Sequence, residues 1–306
     1  MDFRLTSDQE ALLSAIDKLA QRFELKPTAF HGFALAGEEL ERELEVGQYF
    51  DIAHVPELGP LAAAMAVERL ARLPYAAETA LSMLVRPQLI SVPGGEWPRP
   101  LALIENGRPG RFVAAARTLL VIEGEKLSVA QPQLNEIEPV ASLFAYPMGR
   151  LRAATKLTEL SNAEAANIRK WLRIALAAEA SGLLHAAIAS AVDHLTQRKQ
   201  FGRPLGSFQA LRHRMAECAV LAGGVRWLAL KAAGTADAGD AALAAMHAQE
   251  SATRVVYDLH QMLAAMGMTL EHPLHLWTYR LKALLSELGG RGGQAQAVAR
   301  HCFGAR

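Results

Sequence analysis

The segment Gln197-Arg198-Lys199-Gln200-Phe201-Gly202-Arg203-Pro204-Leu205-Gly206-Ser207-Phe208-Gln209 separates two long stretches that read as helix. Before it, residues 161–199 hold a single glycine, Gly182, and no proline. After it, Ser207 can cap a helix running to about residue 233. Asp240 starts a third helix, to about Met266, Pro273 suits the first turn of a fourth, and Gly289-Gly290 ends that one. Four helices with short connections predict an up-and-down four-helix bundle. Within the quoted segment the first helix ends on basic residues, which its dipole favours by roughly 0.3–1 kcal/mol. Gly202 and Pro204 then turn the chain.

Upstream the texture is different. Twelve of the 14 prolines fall between Pro27 and Pro147, so the first half of the 306 residues cannot be built from helices as long as those of the second. Ser7 with Glu10, or Thr6 with Gln9, forms a capping box, and Leu12, Ile16, Leu19 and Phe23 follow as one buried stripe ended by Pro27. Further helical patterns cover about 58–73 and about 75–86, stopped by Pro74 and Pro87. From about residue 94, short apolar runs at 101–104, 112–114, 119–122 and 127–129 alternate with Glu105-Asn106-Gly107, Pro109-Gly110 and Glu123-Gly124-Glu125, the grammar of strands and hairpins. The expected fold is mainly α with a small β domain: an N-terminal helical domain over 1–93, a reduced β middle domain over 94–152 and the C-terminal bundle over 153–306.

Several classes drop out. A formal charge of +1 gives no electrostatic case for nucleic acid or an anionic membrane, and no apolar run approaches the roughly 18–20 residues that span a bilayer. Two cysteines, Cys218 and Cys302, make no disulfide framework. The start Met1-Asp2-Phe3-Arg4-Leu5 lacks the basic-then-apolar order of a signal peptide, so a reduced, cytoplasmic setting is expected. Internal repeats and the phosphate-loop, dinucleotide, C-x-x-C, H-E-x-x-H and G-x-S-x-G signatures are absent. His272 and His275 flank a proline without a third ligand at useful spacing, so they read as packing or capping histidines and no metal is expected.

The dense cluster at 197–209 supports two readings: a well-capped helix–turn–helix, or a site where Arg198 and the amide of Gln200 meet a diphosphate through planar guanidinium donors. Arg198-Lys199-Gln200-Phe201-Gly202-Arg203-Pro204-Leu205, with Phe208-Gln209 after it, resembles the signature of the FAD-dependent acyl-CoA dehydrogenase family. Met1-Asp2-Phe3 and the capped first helix resemble that family's start. Gln261-Met262-Leu263-Ala264-Ala265-Met266-Gly267-Met268-Thr269-Leu270-Glu271-His272-Pro273 is similar to its Q-x-x-G-G-x-G-x-T-x-E-x-P. The resemblance implies that Arg198, Gln200 and Phe201 contact the ADP half of FAD, usually that of a neighbouring subunit, with Gln209 nearby. Gln261 and Gly267 would approach the pyrophosphate across the subunit interface. Ala264 and Ala265 replace glycines and add methyl groups where backbone meets cofactor.

The departures are as informative. The family takes the substrate's α-proton with a glutamate; counting from Glu271-His272-Pro273 places Leu288 there, with Glu287 beside it. The family's other placement, ten residues before the glycine matched by Gly182, holds Leu172, followed by Arg173. Glu287 is the substitute base to consider and Glu179, on roughly the same face as Leu172, a weaker one. The middle region is about half the family's usual length and lacks its E-P-x-A-G-S-D-like motif. The resemblance therefore runs to the short, degenerate subunits of heteromeric bacterial enzymes that act on sterol or bile-acid side chains. It implies FAD-dependent α,β-desaturation of acyl-CoA in a complex whose larger subunit supplies base and flavin pocket. The alternatives are a homo-oligomeric dehydrogenase with Glu287 as relocated base, and a cofactor-free helical scaffold.

Overall fold

The computed structural model describes residues 4–24, 33–93, 95–152 and 155–304; Met1-Asp2-Phe3, Gly94 and the expected stop at Pro27 lie outside them. α1 (Ser7–Arg22) starts at Thr6, whose hydroxyl accepts from the Gln9 amide while the Gln9 side chain accepts from the Thr6 amide. The Thr6–Gln9 box is thus the one formed, and Leu13, Ile16, Leu19 and Phe23 are buried behind it. β1 (Leu35–Ala36) and α2 (Glu38–Val46) follow, then α3 (Gly59–Ala71) with its proline in the first turn. The helix expected over about 75–86 shortens to α4 (Ala80–Leu84), because Tyr75–Ala76 form β2 in parallel with β1.

The β domain consists of two sheets. β3 (Leu101–Glu105), β5 (Thr118–Glu123), β6 (Lys126–Ala130) and β9 (Thr158–Glu159) form the larger one, in the order β3-β5-β6-β9. β3 and β5 are parallel and the other pairs antiparallel. β4 (Gly110–Arg111), β7 (Ile137–Pro139) and β8 (Met148–Leu151) form the smaller one, with β8 central. The expected strand at 112–114 is instead a helical turn over Val113–Ala115, entered through Phe112 at φ 62°. Successive side chains of β3 and β5 point opposite ways. Ala102, Ile104, Leu119 and Val121 pack between the sheets, while Leu101, Leu103, Leu120 and Ile122 pack with the helices. Both faces are covered, which is why these strands are unbroken apolar runs.

The C-terminal domain has α5 (Asn162–Gln197), α6 (Gln209–Thr235), α7 (Ala238–Leu263), α8 (His275–Leu284) and α9 (Gly290–Phe303). The expected four helices are thus joined by a fifth, α9, which begins at Gly290, where Gly289-Gly290 are expected only to end the fourth. Ser161 and Glu164 form a reciprocal cap on α5. Ser207 does not cap α6: its hydroxyl donates to the Pro204 carbonyl, and Phe208 is the capping position. Asp237, not Asp240, starts α7, accepting from the Asp240 amide. Against the expectation of no span, α5 could cross a membrane by length and composition, but 72% of its most apolar window is buried in the fold, as in a core helix. β10 (Lys199–Gln200) and β11 (Arg203–Pro204) form the hairpin between α5 and α6.

Small side chains hold α5 against α3. Ala175, Ala177, Ala178 and Ala180 are buried, as are Ala62, Ala63, Ala64 and Ala66. At Gly182 a methyl group would stand 2.2 Å from the Glu68 carbonyl oxygen. Glu68 itself is buried and pairs with Arg72 and, at 3.2 Å, with Arg226 of α6, so the same spot ties three helices together. Gly182→Ala should therefore lower stability by about 1–3 kcal/mol through overpacking of a rigid backbone contact. A urea melt measures this; an unchanged midpoint would contradict so close an approach of the two helices.

Candidate functional site

The two leucines at the family's base positions share one hydrophobic core, Leu172 within it and Leu288 packed against it, and the Leu288 turn borders the seam where the β domain rests on the bundle. Leu172 is buried in α5, and Leu288 lies in the tight turn Glu287–Gly289 between α8 and α9, at φ 56°. The backbone of Leu288 is fixed on both sides. Its N–H donates to Glu105 Oε2 of β3 at 2.8 Å, and its carbonyl accepts from Gln294 Nε2 at 2.9 Å. Gln294 is fully buried and accepts from Arg173 Nε at 2.7 Å, so Arg173, next to Leu172, reaches Leu288 through one side chain. Gln249 of α7 donates to the Leu284 and Glu287 carbonyls and fixes the same turn from below.

Arg111 of β4 occupies the centre of the seam. It is 5% exposed, donates through Nη1 to Glu179 Oε2 at 2.7 Å, and grips Glu287 through Nε at 2.6 Å and Nη2 at 3.4 Å. Tyr146 donates its hydroxyl to the other Glu179 oxygen at 2.7 Å. Burial alone would pull the guanidinium down, but Glu179 and Glu287 together hold it well above its usual range. Burial pushes the Glu287 carboxyl up, the Arg111 contacts pull it back, and Glu179 adds repulsion. Glu105 is raised from 4.5 to about 7, first by burial, against the Leu288 amide, and further by Glu287. Glu287 is thus neither a solvated helix-end residue nor a free base; it is a ligand of Arg111, and so is Glu179.

A cavity of about 120 Å³ at the seam is lined by Glu105, Arg108, Arg111, Phe144, Met148 and Glu287 among others. Small-molecule and cofactor sites generally need about 300–1,000 Å³. This cavity is too small for a flavin ring with an acyl thioester.

The motifs that the resemblance assigns to the cofactor lie elsewhere, the first of them on open surface. Arg198 ends α5, its N–H bonded to the His194 carbonyl and its carbonyl to the Leu205 amide. Phe201 (φ 54°) and Gly202 (φ 79°) form the two-residue hairpin turn, and Phe201 is 86% exposed. Arg203 lies over the Phe208 ring at 4.1 Å. Beside this hairpin is an open cavity of about 1170 Å³, lined by Arg203, Gln209, Arg212, His213 and Arg254. Arg198, Gln200 and Gln209 are exposed next to it, so planar donors, an amide and an aromatic face are available to a nucleotide diphosphate. These residues fit an ADP half; the seam does not fit the flavin half.

Gln261 is in a second cavity, of about 560 Å³, with Tyr257, His260, Ala264, Met268 and Lys282, and shares no lining residue with the first. Gly267 is buried in the turn after α7, and a methyl group there would stand 3.1 Å from the His260 carbonyl oxygen and the Leu263 Cβ. Ala264 holds φ 50°, ψ −129°, backbone territory that glycine adopts far more easily. His272 accepts from the Leu274 amide, and His275 Nδ1 is 3.0 Å from the His272 carbonyl oxygen. Burial, then His194, push His272 down to about 4. Among the described residues no group of three or more His, Cys, Asp or Glu could hold a metal ion.

Arg111, Tyr146 and Glu105 escaped the sequence reading. The available signal was one arginine at the head of the apolar run Arg111-Phe112-Val113-Ala114. Removing it would leave two buried carboxylates without a counter-charge. Arg111→Met is expected to cost about 3–5 kcal/mol in a urea melt, and a cost within that of an exposed pair, about 0–1 kcal/mol, would show that the network is not closed in solution.

A profile of the acyl-CoA dehydrogenase C-terminal domain matches residues 165–302. The acyl-CoA dehydrogenase FadE34 of Mycobacterium tuberculosis is 30% identical over 216 residues, 66% of this chain and 30% of that protein. The acyl-CoA dehydrogenase IpdE2 of the same organism is 31% identical over 142 residues, 44% of this chain and 45% of that protein. The matches thus span less than half the length of these relatives. Among solved structures, the ChsE4-ChsE5 complex from Mycobacterium tuberculosis aligns over 100% of both chains with a TM-score of 0.80 at 20% identity. The Tcur3481-Tcur3483 steroid ACAD aligns over 95% of this chain and 97% of that one, with a TM-score of 0.76 at 20% identity. The glutaryl-coenzyme A dehydrogenase–glutaryl-CoA complex aligns over 100% and 98%, with a TM-score of 0.78 at 19% identity. The bundle belongs to the acyl-CoA dehydrogenase family, and the two domains before it carry that family's fold.

Proposed function

We propose that this chain is the non-catalytic subunit of a two-chain acyl-CoA dehydrogenase. The observation that carries the reading is the seam: Arg111, Glu179, Glu287 and Tyr146 fill the place between β domain and bundle, and leucine stands at both base positions. The chemistry that bound FAD supplies in this family is acceptance of the β-hydride of an acyl-CoA thioester. In this reading a carboxylate of the larger subunit takes the α-proton, since neither Leu172 nor Leu288 can.

The chain's own contribution is recognition. The Arg198 guanidinium and the hairpin around Gln200, with the Phe201 ring, receive the ADP half of a flavin whose ring lies in the partner subunit, and Gln209 supplies a further donor. Gln261 meets the pyrophosphate from its own cavity. The added methyl groups at Ala264 and Ala265 weaken backbone contact there. Bulky acyl chains of sterol or bile-acid type are the substrate class in this reading, supported by the two-chain and steroid enzymes that share the fold. Glu287 as relocated base is disfavoured by its two Arg111 contacts.

Expressed alone, the chain is expected to purify without stoichiometric flavin and without acyl-CoA oxidation in an artificial-acceptor assay. Co-expressed with a longer acyl-CoA dehydrogenase subunit, it should yield a yellow complex whose flavin content falls when Arg198→Ala is introduced in this chain only. Stoichiometric FAD and turnover in the lone chain would overturn the proposal. An active lone chain silenced by Glu287→Gln with flavin retained would establish the homo-oligomeric alternative; absence of flavin in both preparations would favour a scaffold.

A further inference from the structure

Between the end of α5 and the start of α6 runs an apolar groove of about 300 Å³, the lower end of the range that small-molecule sites occupy. Ile188, Val192 and Leu195 line it from α5, and Leu211, Met215 and Ala219 from α6. The three- and four-residue spacings keep each set on one face of its helix. Ile188, Leu211 and Met215 are only partly buried against the core, and Val192 is 41% exposed. Gly206, in the turn before α6, lines the same groove. A methyl group there would stand 3.3 Å from the Leu195 carbonyl oxygen, so the turn lies close against α5.

One charged residue lines this groove, Arg212, and no carboxylate does. Arg212 also borders the open cavity beside the hairpin, together with Arg203 and Arg254. Those two are committed: Arg203 lies over the Phe208 ring, and Arg254 pairs with Glu217 and Asp258. The Arg212 guanidinium has no ion pair, hydrogen bond or ring contact among the described residues. Thr196 is the other polar side chain at the groove, and its hydroxyl donates to the Val192 carbonyl at 2.8 Å. The groove therefore offers apolar walls and a single uncommitted cation at its edge.

We propose that this groove binds a medium-length aliphatic carboxylate, its chain laid between α5 and α6 and its head group paired with Arg212. A planar guanidinium matches a carboxylate through two parallel N–H···O bonds. The chain displaces water from Val192 and Met215, which the fold leaves partly exposed. A cation would meet Arg212 as a like charge, and a neutral chain would leave it unpaired, so the ligand that satisfies both walls and edge is an apolar monoanion. The groove and the larger cavity share Arg212 and Ala216, which places the head group at their common edge. The site needs neither flavin nor a partner subunit.

Methionine-methyl NMR on the full chain tests this, with octanoate as the probe. The Met215 methyl, assigned through Met215→Leu, should shift and saturate, while that of Met65, buried in α3, should not move. From butanoate to octanoate the affinity should rise roughly fourfold per methylene. Octanamide has the same chain without the charge and should bind about tenfold more weakly. Arg212→Gln should weaken octanoate about tenfold and leave octanamide unchanged, which isolates the pairing. Ala219→Phe should fill the groove and abolish both; Arg212 and Ala219 are exposed, so neither change enters the core. Equal affinity for octanoate and octanamide, or equal loss of both in Arg212→Gln, overturns the proposal. Shifts that do not saturate, or that persist in Ala219→Phe, overturn it too. So does a chain that is dimeric and becomes monomeric with Ala219→Phe, because the groove then belongs to a second copy.

Discussion

A guanidinium buried between two protein layers cannot be left without counter-charges, and that constraint organises this molecule. Arg111 is brought into the interior by a two-residue strand, and the cost of its desolvation is offset only if Glu179 and Glu287 reach it with good geometry. Those carboxylates lie 68 and 176 residues further along the chain. The requirement fixes how the small sheet sits on α5 and how the turn after α8 is folded. Arg280 has the corresponding role on the other side: fully buried, it donates to the carbonyls of Ala71, Leu73 and Tyr75 and secures α8 to the end of α3 and to β2. The bundle is thus joined to both preceding domains through arginines, one answered by carboxylates and the other by backbone.

The legible parts of the fold are those governed by local rules. Residues 161–199 read as one helix because nothing in them breaks one, and α5 spans Asn162–Gln197. The runs 101–104 and 119–122 read as buried strands because both sheet faces are covered, and β3 and β5 are there. What escaped depends on partners distant in sequence. Phe112-Val113-Ala114 has strand composition, but β8 packs so tightly there that a methyl group on Gly149 would stand 2.7 Å from the Ala114 nitrogen, and the chain turns instead. Ser207 looks like a cap, yet its hydroxyl is taken by the Pro204 carbonyl in the tight turn. α9 was missed since Gly290, Gly292 and Gly293 disguise a helix that docks on α7.

The candidate site shows the same division. Arg198, Gln200, Phe201 and Gln209 are grouped by a local hairpin, so their proximity was readable from spacing. That Glu179 and Glu287 share one arginine was not readable, although each had been singled out alone. A carboxylate displaced by one position from an expected base has two fates, reactive or structural, and the choice is made by what stands opposite. Here that group is Arg111, whose one signal in the sequence is its place at the head of an apolar run.

Backbone strain ties the two halves of the argument together. Phe201, Ala264 and Leu288 all hold positive φ without being glycine, and each sits where the family resemblance places chemistry: at the ADP hairpin, at the pyrophosphate turn and at the base position. A side chain in that region costs of order 1–3 kcal/mol and persists only where the surroundings over-determine it. The Leu288 turn is over-determined by Glu105, Gln294 and Gln249, and the Phe201 turn by the β10–β11 pairing. Ala264 keeps a glycine-like backbone with a methyl group added. The chain thus holds a strained backbone at all three places, with leucine at the base position itself. The seam at the base position is closed by ion pairs, whereas the β10–β11 hairpin stays open to solvent.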